Sequence, residues 1–113
     1  MSQNPSKKSD QKETNADYRV LYPTEKHHQV IKDFVATLQP KEQDQVWDVI
    51  LDLGKKPRPD GYIQIRPPIP ALSLLAHYRI ASGNFRIFYD IDDEKKKVWI
   101  LAVRRRNEKT YRR

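Results

Sequence analysis

The chain contains no cysteine. That excludes a disulfide framework, a Cys-based zinc site and a thiolate nucleophile. Histidine is scarce as well: His27, His28 and His77 are the whole supply. The first two are adjacent and so cannot share a helix face as an i,i+4 metal pair does. Neither a metal nor an organic cofactor is expected. No apolar run approaches the ~20 residues a membrane span needs. Met1–Asp17 also lacks the hydrophobic segment of a secretory signal, so the expectation is a cytoplasmic protein with no membrane partner. Internal repeats and heptads are missing too. With 113 residues, the chain builds one core rather than two.

What the sequence does have is arginine, placed unevenly. The net charge is +7. Met1–Asp17 is neutral, Tyr18–Tyr78 carries +1 and Arg79–Arg113 carries +6. Nine of the ten arginines lie at or beyond Arg58. A guanidinium is planar and forks onto phosphate oxygens, so this distribution points to a polyanionic partner, either nucleic acid or an acidic protein segment. A basic surface kept merely for solubility would give the same charge count, so the charge alone does not decide.

Met1–Asp17 is polar and almost free of apolar residues, the composition of a disordered tail. Tyr18–Tyr22 is a short run of β-formers stopped by Pro23, read as a strand. Thr24 offers an N-cap oxygen. Val30, Ile31, Phe34, Val35 and Leu38 follow at helical spacing. Pro40 suits the first turn of a second helix, whose stripe is Val46, Val49, Ile50 and Leu53, and Gly54 is placed to end it as a C′ glycine. The short link makes the two helices an antiparallel hairpin. Lys55–Pro70, broken by five prolines, reads as a loop with at most a brief extended piece at Tyr62–Ile65. Ala71–Ala76 fits either the start of a strand or one helical turn. His77–Ala81, Phe85–Ile91 and Lys97–Arg104 read as three strands joined by hairpin turns. The expected fold class is α+β: a strand, a helix hairpin, then an antiparallel sheet of three further strands.

Alternation along these strands sorts the residues onto two faces. A two-residue turn at Gly83-Asn84 pairs Ala81 with Arg86 and Arg79 with Phe88. A second turn centred on Asp93-Glu94 pairs Phe88 with Trp99 and Arg86 with Leu101. One face then collects Ile80, Phe85, Ile87, Tyr89, Ile91, Val98, Ile100 and Ala102, the surface for the helices to cover. The other mixes Arg79, Arg86 and Arg105 with Phe88, Trp99, Leu101 and Val103. His77 shares this second face. Arginines that hold phosphates beside rings that stack bases make an RNA platform. Alternatively, Phe88 and Trp99 pack under the Pro-rich loop.

The stretch His77–Tyr89, HYRIASGNFRIFY, resembles the "YRI…G-x-YRI-x-Y" hairpin of RelE/ParE toxins from type II toxin–antitoxin pairs. An acidic turn follows (Asp92-Asp93-Glu94), then a strand ending in a basic cluster (Ile100–Arg106, ILAVRRR), then Tyr111. Upstream, Leu53–Gly61 is similar to the family's "L…P-x-P-G" link. The resemblance covers Tyr18 to Arg113 and implies that 18–113 is a RelE/ParE-like toxin domain. It implies a toxin held by a cognate antitoxin protein. RelE-type members cut mRNA on the ribosome, whereas ParE-type members inhibit DNA gyrase without being enzymes. A non-toxic binding module on the same fold is a third possibility. For the nuclease, the resemblance implies a catalytic set of Arg79, Arg86, Arg105 and Tyr111, with Arg106 as the alternative to Arg105. Lys55, Lys56, Arg104, Arg106 and Trp99 are the further RNA-binding candidates. The sequence departs from the pattern in having Arg79 where lysines are usual and Arg104-Arg105-Arg106 without a His-Arg pair.

Overall fold

A computed structural model of the protein describes residues 17–106. Of the tail expected at Met1–Asp17, only the last residue falls in this range, and Tyr111 lies outside it. The first strand, β1, is Arg19–Leu21. Thr24 caps helix α1 (Glu25–Ala36) by accepting the His27 backbone N–H at 3.1 Å, which satisfies one of the amides a helix start leaves open. Pro40 opens helix α2 (Pro40–Lys55), and the Glu42 carboxylate accepts the Gln39 backbone N–H at 3.2 Å. Helices of twelve and sixteen residues gain little from propensity alone. They are held by burying Ile31 and Val35 from α1, and Val46, Ile50 and Leu53 from α2, against the sheet.

Gly54 does not cap α2 from outside, as expected, but sits within the helix. A Cβ there would stand 2.7 Å from the Tyr18 carbonyl oxygen. The glycine is needed for close approach: α2 lies directly on the chain entering β1, and the Tyr18 N–H donates to the Gly54 carbonyl at 2.6 Å.

The sheet has five strands in the order β1-β5-β4-β3-β2, where β2 is Ile63–Ala71, β3 Leu74–Ser82, β4 Phe85–Asp92 and β5 Lys97–Arg105. β1 runs parallel to β5, and the other pairs are antiparallel. Four strands therefore follow the helices, not three. The expected loop Lys55–Pro70 ends at Tyr62 and its remainder is β2. Pro67, Pro68 and Pro70 are tolerated because β2 is the sheet's edge, where a missing N–H breaks no inner ladder. Its register shifts between Gln64 and Ile69, around a cis Arg66–Pro67 bond. Ala71 pairs with Leu74 across a tight turn, which settles Ala71–Ala76 as hairpin rather than helix.

The helices cover one sheet face, where Ile80, Phe85, Ile87, Tyr89, Val98, Ile100 and Val103 join them in the main core. A second, smaller cluster of Ala71, Ala76, Phe88 and Leu101 lies on the other face, with Ile65 and Ile69 of β2 packed against it. His27 ties the halves together. It is 1% exposed, with Nδ1 2.6 Å from the Thr24 hydroxyl and Nε2 2.9 Å from the Ala71 carbonyl oxygen. A carbonyl only accepts, so Nε2 carries a proton and donates it. This histidine is a structural clip with both ring nitrogens occupied. Among the described residues no helix is long and apolar enough to cross a membrane.

Candidate functional site

The site is laid out by the β3–β4 hairpin. Gly83, with φ +60, takes the left-handed position that a two-residue hairpin turn demands. Ser82 then pairs with Phe85, Ala81 with Arg86 and Arg79 with Phe88, as the sequence predicts. His77 stands opposite Asp90 in the continuation of this ladder. The helix-free face therefore presents His77, Arg79, Arg86 and Asp90 together.

The β4–β5 register differs from expectation. The turn is four residues long, since Asp92 pairs with Lys97. Asp90 then faces Trp99, and Tyr89 faces Ile100. Between Phe88 and Tyr89 the ladder shifts again, so that Phe88 pairs with Ala102, Arg86 with Arg104 and Phe85 with Arg105. Leu101 is the extra residue of this bulge, and a bulge exchanges faces for everything beyond it. Val103 turns into the main core and Ala102 toward the small cluster, the reverse of the expected assignment. Arg104, not Arg105, joins Arg86 on the helix-free face. Arg105 lies over the Phe85 ring, 5.1 Å from its centroid, on the helix side. The face parity that favoured Arg105 as the third arginine is overturned by the bulge.

Arg79, Arg86 and Arg106 line one hollow of about 150 Å³, together with Gly61, Ile63 and Ala81. All three are arginines, the side chain whose guanidinium forks onto phosphate oxygens. Arg104 stands at the side, 5.1 Å above the Phe88 ring and donating to the Pro70 carbonyl at 2.8 Å. Phe88 is only 3% exposed, so it packs beneath β2 and offers no ring for stacking. The open aromatic platform expected from the sequence is reduced to Trp99, half-buried, with the Lys97 ammonium 5.6 Å from its ring centroid.

Trp99 borders a groove of about 530 Å³ whose walls include Leu74, Leu75, Leu101, His77 and Asp90. Asp90 grips His77 twice. Its carboxylate accepts the His77 backbone N–H at 2.8 Å and lies 2.9 Å from His77 Nδ1. Asp90 was not foreseen as a partner. Lys55 and Lys56 line a different cleft, with Asp52, Asp60 and Ile80, so the structure does not bring them into the arginine hollow. Among the described residues no His, Asp and Glu side chains cluster as metal ligands.

Asp93, in the acidic β4–β5 turn, takes a structural role. Arg58 forks onto it at 3.1 and 2.9 Å, and the Tyr18 hydroxyl donates to it at 2.8 Å. Hydrogen bonds from Arg58 first, then Tyr18, hold its carboxyl down at about 2. The Tyr89 hydroxyl donates to the Pro57 carbonyl at 2.7 Å, and burial pushes that hydroxyl's pKa up. These bonds fix the 56–62 connection, whose Gly61 walls the arginine hollow.

No family model matches the chain, and no curated protein matches it. Solved structures do. The RelBE2 toxin–antitoxin complex of Mycobacterium tuberculosis is similar at 24% identity and a TM-score of 0.61, over 80% of this chain and 93% of that one. The archaeal RelE–RelB complex of Pyrococcus horikoshii is similar at 19% identity and a TM-score of 0.61, over 80% and 97%. A free mutant of the E. coli toxin RelE matches at 16% identity and a TM-score of 0.50, over 83% and 88%. At these identities the likeness concerns architecture, which two helices on a five-stranded sheet share with them: the protein has the RelE fold.

Proposed function

We propose that the protein is the toxin of a type II toxin–antitoxin pair and an mRNA endonuclease that acts on the ribosome in the cytoplasm, restrained by a cognate antitoxin. The observation that carries this reading is the hollow formed by Arg79, Arg86 and Arg106 on the helix-free face. The RelE fold supports it, since two of the similar structures are toxin–antitoxin complexes. Cleavage by 2′-OH attack builds negative charge on a pentacoordinate phosphorus. Fixed guanidinium groups stabilise that charge without having to reorganise. In this reading Arg79 and Arg86 hold the scissile phosphate, Arg106 closes the hollow, and Arg104 and Trp99 receive the flanking nucleotides. Arg105, on the helix side, drops out of the expected set, Tyr111 lies outside the described residues, and Lys55 and Lys56 are left for more distant backbone contacts.

The test is induction of the chain alone in a bacterial host, with pulse labelling of protein synthesis and primer extension on an abundant mRNA. The expected result is a rapid stop in translation with discrete cuts, lost in Arg86→Ala while the variant stays folded. Intact mRNA alongside DNA-damage signalling would move the protein to gyrase inhibition. Normal growth would make it a binding module.

A further inference from the structure

Arginine has five donors and no acceptor. The arginine hollow can therefore stabilise charge but cannot take the proton from an attacking hydroxyl. Among the three histidines, His27 has both ring nitrogens engaged and His28 is stacked on Tyr22 at 4.0 Å between centroids. His77 differs from both. Its Nδ1 is held by Asp90 at 2.9 Å, its Nε2 has no hydrogen-bond partner among the described residues, and its side chain is 49% exposed on the wall of the Trp99 groove.

We infer that His77, oriented by Asp90, is the general base of the proposed cleavage, and that the groove beside it takes the base of the nucleotide whose 2′-OH attacks. This rests on the endonuclease reading above. The Asp90 carboxylate only accepts, so Nδ1 keeps its proton and the Nε2 lone pair is left facing the groove. The same two-point grip, on the backbone N–H and on the ring, fixes both the strand position and the ring plane. A carboxylate behind the ring also stabilises the imidazolium as it forms.

The spacing suits the chemistry. His77 and Arg79 lie two residues apart on one face of β3, about 7 Å along the strand. Trp99 sits across from Asp90, so a base stacked on it brings its ribose to His77 and its 3′ phosphate toward Arg79. Nε2 takes the 2′-OH proton, and the 2′ oxygen forms a bond to phosphorus. The bond from phosphorus to the 5′ oxygen then breaks, and that oxygen leaves with the electron pair and takes a proton from water. The products are a 2′,3′-cyclic phosphate and a 5′-hydroxyl end, with the imidazolium returning its proton to solvent.

The ionisable groups around His77 are Asp90 from β4, Arg79 on its own strand and Lys97 at the Trp99 ring on β5. The experiment adds the full chain to a cell-free translation reaction. It follows mRNA cleavage between pH 5.5 and 9 for wild type, His77→Gln, His77→Ala and Asp90→Asn, with circular dichroism confirming the fold of each. The expected result is a loss of about 100-fold or more in His77→Gln, together with loss of the rise in rate through the neutral range. Added imidazole should restore part of the activity to His77→Ala, and Asp90→Asn should slow cleavage without weakening mRNA binding. Wild-type cleavage matched within threefold by His77→Gln, with the same pH profile, overturns the role of His77 alone. No cleavage by wild type overturns the endonuclease reading, and this inference with it.

Discussion

On the sheet face turned toward α1 and α2, Ile80, Phe85, Ile87, Tyr89, Val98 and Ile100 are buried. On the opposite face their alternating neighbours are His77, Arg79, Arg86, Asp90 and Trp99, all at least partly exposed. The same strands supply both sets, and only parity separates them. One face therefore tolerates little change in volume, whereas the other turns charged and polar groups toward solvent. The division is not clean. Phe88, Leu101, Ala71 and Ala76 give the second face a core of its own beneath β2, and that small core sets where the arginines stand.

Phe88→Ala tests the division between the faces most directly. If Phe88 is core despite its face, the variant loses about 3–5 kcal/mol in urea unfolding. A loss near zero would return it to the surface. Gly54→Ala should cost about 1–3 kcal/mol, because the new methyl meets the Tyr18 carbonyl rather than open space, again read by urea unfolding. At the β2–β3 turn Leu72 has φ +57 and is 51% exposed. A left-handed conformation costs a leucine about 1–2 kcal/mol, and asparagine tolerates it better. Leu72→Asn should therefore raise the thermal midpoint, by about 1 kcal/mol in stability. Arg86→Ala should leave a folded protein by circular dichroism while abolishing the proposed mRNA cleavage, which separates the two faces functionally.

The smallest effect is at the turn. Asp93 titrates at about 2 in the fold against an ordinary 3.8. Its bonds to Arg58 and Tyr18 therefore contribute fully above that ordinary value and are lost as the pH falls toward 2. Asp93→Asn should flatten this acid limb in urea midpoints taken between pH 2 and 5.

Much of this arrangement was legible in the sequence, because alternation and turn chemistry are local. Gly83-Asn84 fixed the β3–β4 register, and with it the pairing of Arg79 and Phe88. The same register already implied His77 opposite Asp90, a contact that could have been drawn from the sequence. The helices announced themselves by Thr24, Pro40 and their apolar stripes. What stayed hidden depends on non-local pairing. Nothing near Leu101 marks it as the extra residue of a bulge, and that one residue moved Arg104 and Arg105 to opposite faces. The prolines of β2 argued correctly against a central strand, but an edge strand accepts them, and only the sheet order reveals which strand is the edge.

That edge has a consequence for the protein in a crowded solution. An open sheet has two unpaired margins, and each is a template onto which another chain's backbone can add. Here β1 is three residues long and pairs with only Lys97–Trp99 of β5. The other margin, β2, carries Pro67, Pro68 and Pro70 with a break in register. The β2 margin therefore offers no long, regular row of donors and acceptors of the kind fibril growth requires, and the molecule is guarded there against self-association into extended β-aggregates.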